Sequence, residues 1–198
     1  VSVGLQIDVR DAGAQQLLDR FFATLTDRTG IHEHIGERAS ELTRSHLVAI
    51  AQSRHKTAQK LGATPSGFWG QGAEKTTSVA DAEKATVTIN QPGIGRAAHD
   101  VDILPGGGKK YLTLPAIAAA YNKKATTVPD LTMMIRWKDG QRRAIALGQK
   151  AGEQFTVWYW LVKSVRQKQD RTLLPSDEEF RLAALAGIRD SIDALLAG

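Results

Sequence analysis

His32-Glu33-His34 with Glu37, and His99-Asp100 with Asp102, are the two groupings whose residue types suit metal binding or proton transfer. The first fails on spacing. A helix brings together residues three or four apart, so His34 and Glu37 can meet while His32 and His34 diverge. The helical metalloprotease pattern requires His-Glu-x-x-His, which is absent here. In the second grouping Asp100 and Asp102 alternate along one strand face beside His99. A solvated strand accounts for them, and a metal-dependent hydrolase built on His99, Asp100 and Asp102 ranks third among the readings of this sequence. His46 falls on the apolar stripe of a helix, the usual place for a satisfied core or interface histidine. His55, between Arg54 and Lys56, reads as basic surface.

Phosphate chemistry is no better supported. Gly106-Gly107-Gly108-Lys109-Lys110 lacks the Gly-x-x-x-x-Gly-Lys-Ser/Thr spacing of a P-loop, and a strand rather than a helix is expected after it. Gly93-Ile94-Gly95 lacks the third glycine of a dinucleotide site. No serine sits in a nucleophile elbow, and the chain has no cysteine, which removes thiolate nucleophiles, disulfides and cysteine-held metals. The residues therefore predict a protein that is not an enzyme, with no cofactor, no metal and no catalytic residue.

Three other features suggest contacts. Trp158, Tyr159 and Trp160 put large aromatics on both faces of one strand, so two hydrophobic environments are needed; aromatics of this kind concentrate at subunit interfaces. Lys163, Arg166, Lys168 and Arg171 follow at once, countered by Asp170 alone. They form either a basic edge that discourages strand pairing or a patch facing DNA or an acidic neighbour. Phe68 and Trp69 lie among glycines in a stretch, Gly62 to Gly72, that reads as a loop.

The elements that must carry these residues follow from periodicity. Val3, Leu5, Ile7 and Val9 alternate as in a half-buried strand. Asp11 can cap a helix whose apolar positions are Leu17, Leu18, Phe21, Phe22 and Leu25, with Gly30 as its end. A longer helix is expected from about Ile31 to Leu61. Strands are expected over Ala85–Ile89, Val101–Ile103, Tyr111–Leu114 (as the return strand of a hairpin), Leu131–Trp137, Arg143–Leu147 and Phe155–Val165, with Asp139-Gly140 as a tight hairpin turn. Ala116 to Ala120 suits a helical turn. Pro175 ends the strand region, and Ser176 with Glu179 forms a capping box for a last helix with Phe180, Ala184, Ile188, Ile192 and Leu195 on one face. The pattern predicts one α+β domain over residues 1–198, an antiparallel β-sheet packed with long N-terminal helices and a C-terminal helix.

At 198 residues with 42% hydrophobic and 24% charged side chains, the chain has the composition of a globular domain able to build a core. No apolar run reaches the roughly 20 residues that span a bilayer, and Val1 to Arg10 lacks the basic start of a signal peptide. The expectation is a protein made in the cytoplasm without membrane contact. The formal charge of +5 permits contact with nucleic acid without requiring it.

The middle of the chain resembles the phage virion morphogenesis (tail completion) family. The likeness rests on His99, Ile103, Pro105, a basic Gly-rich loop and then Lys110-Tyr111-Leu112-Thr113-Leu114-Pro115. A long N-terminal helix stands upstream; downstream come the aromatic strand, Pro175 and a short helix with an acidic start. Arg171-Thr172-Leu173-Leu174-Pro175 replaces the family's Arg-Pro-Phe-Leu type signature, and residues around Ala116 to Pro129 are additional. The resemblance implies a structural subunit of a tailed-phage virion. It would form a ring of copies of itself, a hexamer, at the head-tail joint or the head-proximal end of the tail, in a tail completion or terminator role. Its partners would be tail tube and head-tail connector proteins, and its location the virion, after assembly in the host cytoplasm. Under this reading Trp158, Trp160, Phe68 and Trp69 lie at subunit interfaces. Lys109, Lys110, Lys163, Arg166, Lys168 and Arg171 line a channel and touch packaged DNA non-specifically. The alternative is a DNA-binding accessory protein using the basic 163–171 stretch.

Overall fold

The computed structural model describes residues 12–138 and 141–197. The expected strand at Val3 to Val9, the Asp11 cap and the Asp139-Gly140 turn lie outside the described residues. The fold is α+β, with its strand pairs antiparallel. The chain divides into two compact units: residues 1–45, 75–90 and 175–198 form one, and residues 46–74 and 91–174 the other.

The first unit is helical. Helix α1 (Ala12–Thr26) and helix α2 (Thr29–Ser53) are separated at Asp27-Arg28, not at Gly30 as the sequence suggested. The Asp27 carboxylate stops one helix and starts the next by accepting from the Thr29 backbone N–H at 3.0 Å and its hydroxyl at 2.6 Å. These bonds satisfy donors that a helix start leaves open, and they hold the Asp27 carboxyl below its ordinary range. Strands β1 (Thr76–Ala80) and β2 (Ala85–Ile89) pair as a hairpin, whose turn is tied by Asp81 accepting from the backbone of Glu83 and Lys84. The last helix of the chain, Asp177–Ala197, starts with the anticipated capping box: the Ser176 N–H donates to Glu179 at 2.7 Å and the Glu179 N–H to the Ser176 hydroxyl at 3.3 Å.

Of the stripe expected on that last helix, Phe180, Ala184 and Leu195 are half-buried. Gly187 and Ser191 are its buried positions, whereas Ile188 and Ile192 remain 37% and 42% exposed. A Cβ on Gly187 would lie 2.6–2.7 Å from the backbone of His34 and Ile35. So close an approach between backbones admits only small residues, and the large apolar side chains turn outward.

The second unit holds two further sheets. Helix α2 ends at Ser53, and the helix expected to reach Leu61 is broken at Arg54-His55 before α3 (Lys56–Leu61). Gly62 closes α3 in the left-handed conformation at φ 63, as a glycine cap does. Phe68 and Trp69 open a helix, α4 (Phe68–Glu74), inside the stretch read as a loop. A short helix, α5 (Ile94–Ala97), precedes β3 (Val101–Ile103). Strands β4 (Leu112–Pro115), β5 (Thr132–Lys138), β6 (Gln141–Ala151) and β7 (Gln154–Val162) form a sheet in the order β4-β7-β6-β5, and β8 (Val165–Gln167) pairs with β3. The hairpin anticipated between β3 and β4 does not form, because each strand finds a partner from later in the chain. The continuous strand expected to Val165 is likewise split into β7 and β8.

Tyr159 is 1% exposed and packs with Ala120 and Val128, with Ile117, Ala125 and Leu131 around them. Short 3-10 turns at Ala118–Ala120 and Ala125–Thr127 shape this cover, and the Tyr159 hydroxyl donates to the Lys123 carbonyl at 3.1 Å. The segment between β4 and β5 therefore covers the Tyr159 face of this sheet. Leu47, Ala73, Ile94 and Leu173, all at most 5% exposed, are also buried in this unit. Among the described residues no helix is long and apolar enough to cross a membrane.

Candidate functional site

The histidines fall where spacing placed them. His34 Nδ1 lies 3.7 Å from Glu37, while His32 Nδ1 meets the Asp81 carbonyl at 2.7 Å. The two rings thus serve different partners. His46 Nε2 lies 3.1 Å from the Thr172 carbonyl, a satisfied half-buried ring. Asp100 accepts from the Gln169 N–H at 2.6 Å, tying the approach to β3 to the exit of β8, and Asp102 stands opposite Arg166 in the β3–β8 register. Asp100 thus helps to hold the small sheet together. Among the described residues no group of three or more His, Asp or Glu is placed to hold a metal ion. The Gly106–Gly108 stretch is an exposed connection with Gly107 and Gly108 at positive φ, and a strand follows it.

Trp158, Tyr159 and Trp160 part company on β7. Cross-strand partners share a face, and Leu114, Trp160 and Ala146 stand in one row. Tyr159 belongs to the opposite face, in register with Pro115 and Leu147. Its neighbour Trp158, at the register shift, packs against the Tyr159 cluster. Trp160 is 48% exposed and Leu114 38%. The strand thus has one face covered by its own unit and an aromatic half exposed on the other. Phe68 and Trp69 are half-buried and meet edge to face, ring centres 5.1 Å apart at 80°.

The basic residues gather by topology. Leu112 pairs with Val162, so Lys109 and Lys110 enter the sheet at the end where Lys163 leaves it. Lys109, Lys110, Lys163, Arg166, Lys168 and Arg171 are all exposed. Asp170, read from the sequence as their countercharge, instead pairs with Arg54, which also reaches Thr172. That pair lies in a cleft of about 550 Å³ lined by His55, Lys56, Trp69 and Tyr121 among others. The cleft joins positions 116 residues apart, and local sequence spacing carries no signal for it.

A larger apolar surface went unrecognised. On α1, Leu17, Leu18, Phe21, Phe22 and Leu25 are 36–62% exposed; on the last helix, Leu182, Leu185, Ile188, Ile192 and Leu196 are 37–63% exposed. Alternation along β5 places Met133, Ile135 and Trp137 on one face, with Trp137 67% exposed. The pairing of β6 with β7 stops at Ala146, so among the described residues β5 and β6 beyond that residue form a two-stranded arm.

In comparisons with known proteins no family model matches the chain, and no curated protein or solved structure matches it.

Proposed function

We propose that this chain is a non-catalytic structural subunit of a tailed-phage virion, closing with copies of itself into a ring at the head-tail joint or head-proximal end of the tail. The observation that carries the reading is the split character of β7. Tyr159 is buried, while Trp160 beside it stands half exposed with Leu114 in its row. An aromatic of this size in an apolar row suits the desolvated centre of a protein interface. The motif order from His99 to Pro115 supports the phage setting, and assembly demands nothing of the chain but complementary surfaces that close by rotation. The partners under this reading are tail tube and connector proteins.

The test is the mass of the full chain in solution together with its copy number in purified particles. A closed multiple of the chain at one level of the neck or tail is the expected result; a single copy per particle, or none, overturns the reading.

A second reading, a DNA-binding accessory protein, is favoured by one observation: the six exposed cations of the β4 entry and the 163–171 stretch share one unit. Within a ring these cations would face DNA that passes through. Weak binding without sequence preference, falling steeply with salt, supports the ring lumen. Tight, sequence-specific binding by free protein supports the accessory role.

A further inference from the structure

We infer that the β5–β6 arm of one copy docks on the exposed apolar face of α1 and the last helix of a second copy. The inference rests on the ring reading for its head-to-tail geometry and identifies which surfaces meet.

Three observations converge. The first is area. Ten large apolar side chains on the two helices are each between a third and two-thirds exposed. That is surface of the same order as the roughly 800 Å² per partner that a standard interface buries. Single exposed leucines need no explanation, whereas two helices that each turn an apolar stripe outward do. The second is shape. Among the described residues the arm beyond Ala146 has no third strand, and a two-stranded ribbon is marginal in water unless its apolar face packs on something. Ile135 and Trp137 offer that face, and a ribbon laid across helices is an ordinary layer contact.

The third is charge. Among its described side chains the arm carries Arg136 and Arg143, both exposed, and no carboxylate. The last helix carries Asp177, Glu178, Glu179, Asp190 and Asp193 against Arg181 and Arg189, a net of −3. Helix α1 is balanced by Asp19 and Arg20. Opposite charge around apolar centres directs the arm to the helices and disfavours arm-on-arm or helix-on-helix pairing, where like charges would meet. Two different surfaces, each needing the other, make a head-to-tail contact, which closes rings.

The experiment uses two full-length variants, each altered at an exposed position of one surface: Leu185→Glu on the helix and Trp137→Glu on the arm. Sedimentation across micromolar to high-micromolar concentration is the readout, with circular dichroism to confirm that each variant is folded. Wild-type protein is expected to associate and each variant alone to be monomeric. An equimolar mixture should form a dimer and stop there, because only one intact helix face and one intact arm remain to meet. Should a variant prove unfolded, Leu182→Glu and Ile135→Glu replace the pair. Folded variants that associate like wild type overturn the choice of surfaces while the ring reading stands. A mixture that stays monomeric overturns the head-to-tail pairing, as does a wild-type chain that is monomeric throughout. The ring reading itself falls only on the copy number in particles, which is measured separately.

Discussion

Leu47, Ile50, Ala73, Ile94, Ala97, Leu173 and Tyr159 are buried in the unit built from residues 46–74 and 91–174. In the other unit the buried polar side chains are Ser40, Thr43, Thr76 and Ser191, and no described hydrophobic residue there is fully buried. Ser40 and Thr43 turn their hydroxyls back onto the Glu37 and Ala39 carbonyls of their own helix, at 2.9 and 2.7 Å. Such bonds satisfy the groups without linking elements. One unit therefore draws its stability from apolar burial. The other has apolar side chains that are at most half-buried, among them Ile35, Leu42, Phe180 and Leu195, together with close backbone approach, hydrogen bonds and ion pairs, and it leaves the apolar stripe of α1 exposed. Under the ring reading proposed above, association with further copies would supply hydrophobic stabilisation to such a unit.

The contrast is broken most directly by truncation. Tyr159→Ala removes the centre of an apolar cluster and is expected to cost about 3–5 kcal/mol, enough to unfold the chain or nearly so. Phe22→Ala, at 62% exposure, should change the stability of the monomer by no more than about 0.5 kcal/mol while weakening association. Chemical denaturation of each variant at low concentration measures the difference, and equal losses would erase the distinction between the units.

Next in size is Gly187→Ala. Its methyl would press on the Ile35 and His34 backbone, so a loss of about 1–3 kcal/mol is expected, read as a lower midpoint in urea. An unchanged midpoint would show that the helical unit is not held by that contact.

The β7 tryptophans sharpen the comparison within one strand. Trp158→Ala should lower stability, because Trp158 packs on the Tyr159 cluster. Trp160→Ala should stay folded and be lost from particles. If both merely lower stability while the folded fraction enters particles normally, Trp160 belongs to the core and the ring contact lies elsewhere.

The smallest effect is in pH. In the helical unit Asp190 is held below its ordinary range by the hydrogen bond and charge of Arg38 at 2.6 Å. Asp27, Asp81 and Glu178 are lowered by their hydrogen bonds to Thr29, to the Glu83 and Lys84 backbone, and to Arg181. A depressed carboxyl stabilises the fold above its unfolded value and ceases to do so as pH falls through the folded one. Acid below the ordinary carboxylate range should thus loosen this unit first, modestly because the groups are solvated. In the other unit burial pushes the Tyr159 phenol up, so its contribution is complete at neutral pH and is lost only as pH climbs past the ordinary phenol range. Amide exchange at low and high pH distinguishes the two; uniform loosening in acid would contradict the contrast.

Local chemistry determined much of this protein in advance. The Ser176–Glu179 capping box, the His34–Glu37 pair and the alternation of Met133, Ile135 and Trp137 each depend on neighbours within a few residues, and all are present. The α+β order of elements was legible in the same way. Other features were decided by segments distant in the chain. That β3 pairs with β8, that the 116–131 segment covers Tyr159, and that Arg54 meets Asp170 all depend on which remote partner completes a sheet or a charge. The face that each terminal helix buries was decided the same way. Periodicity shows that a helix has an apolar stripe, but Gly187 against the Ile35 backbone sets which side packs and leaves Leu182, Leu185 and Leu196 exposed.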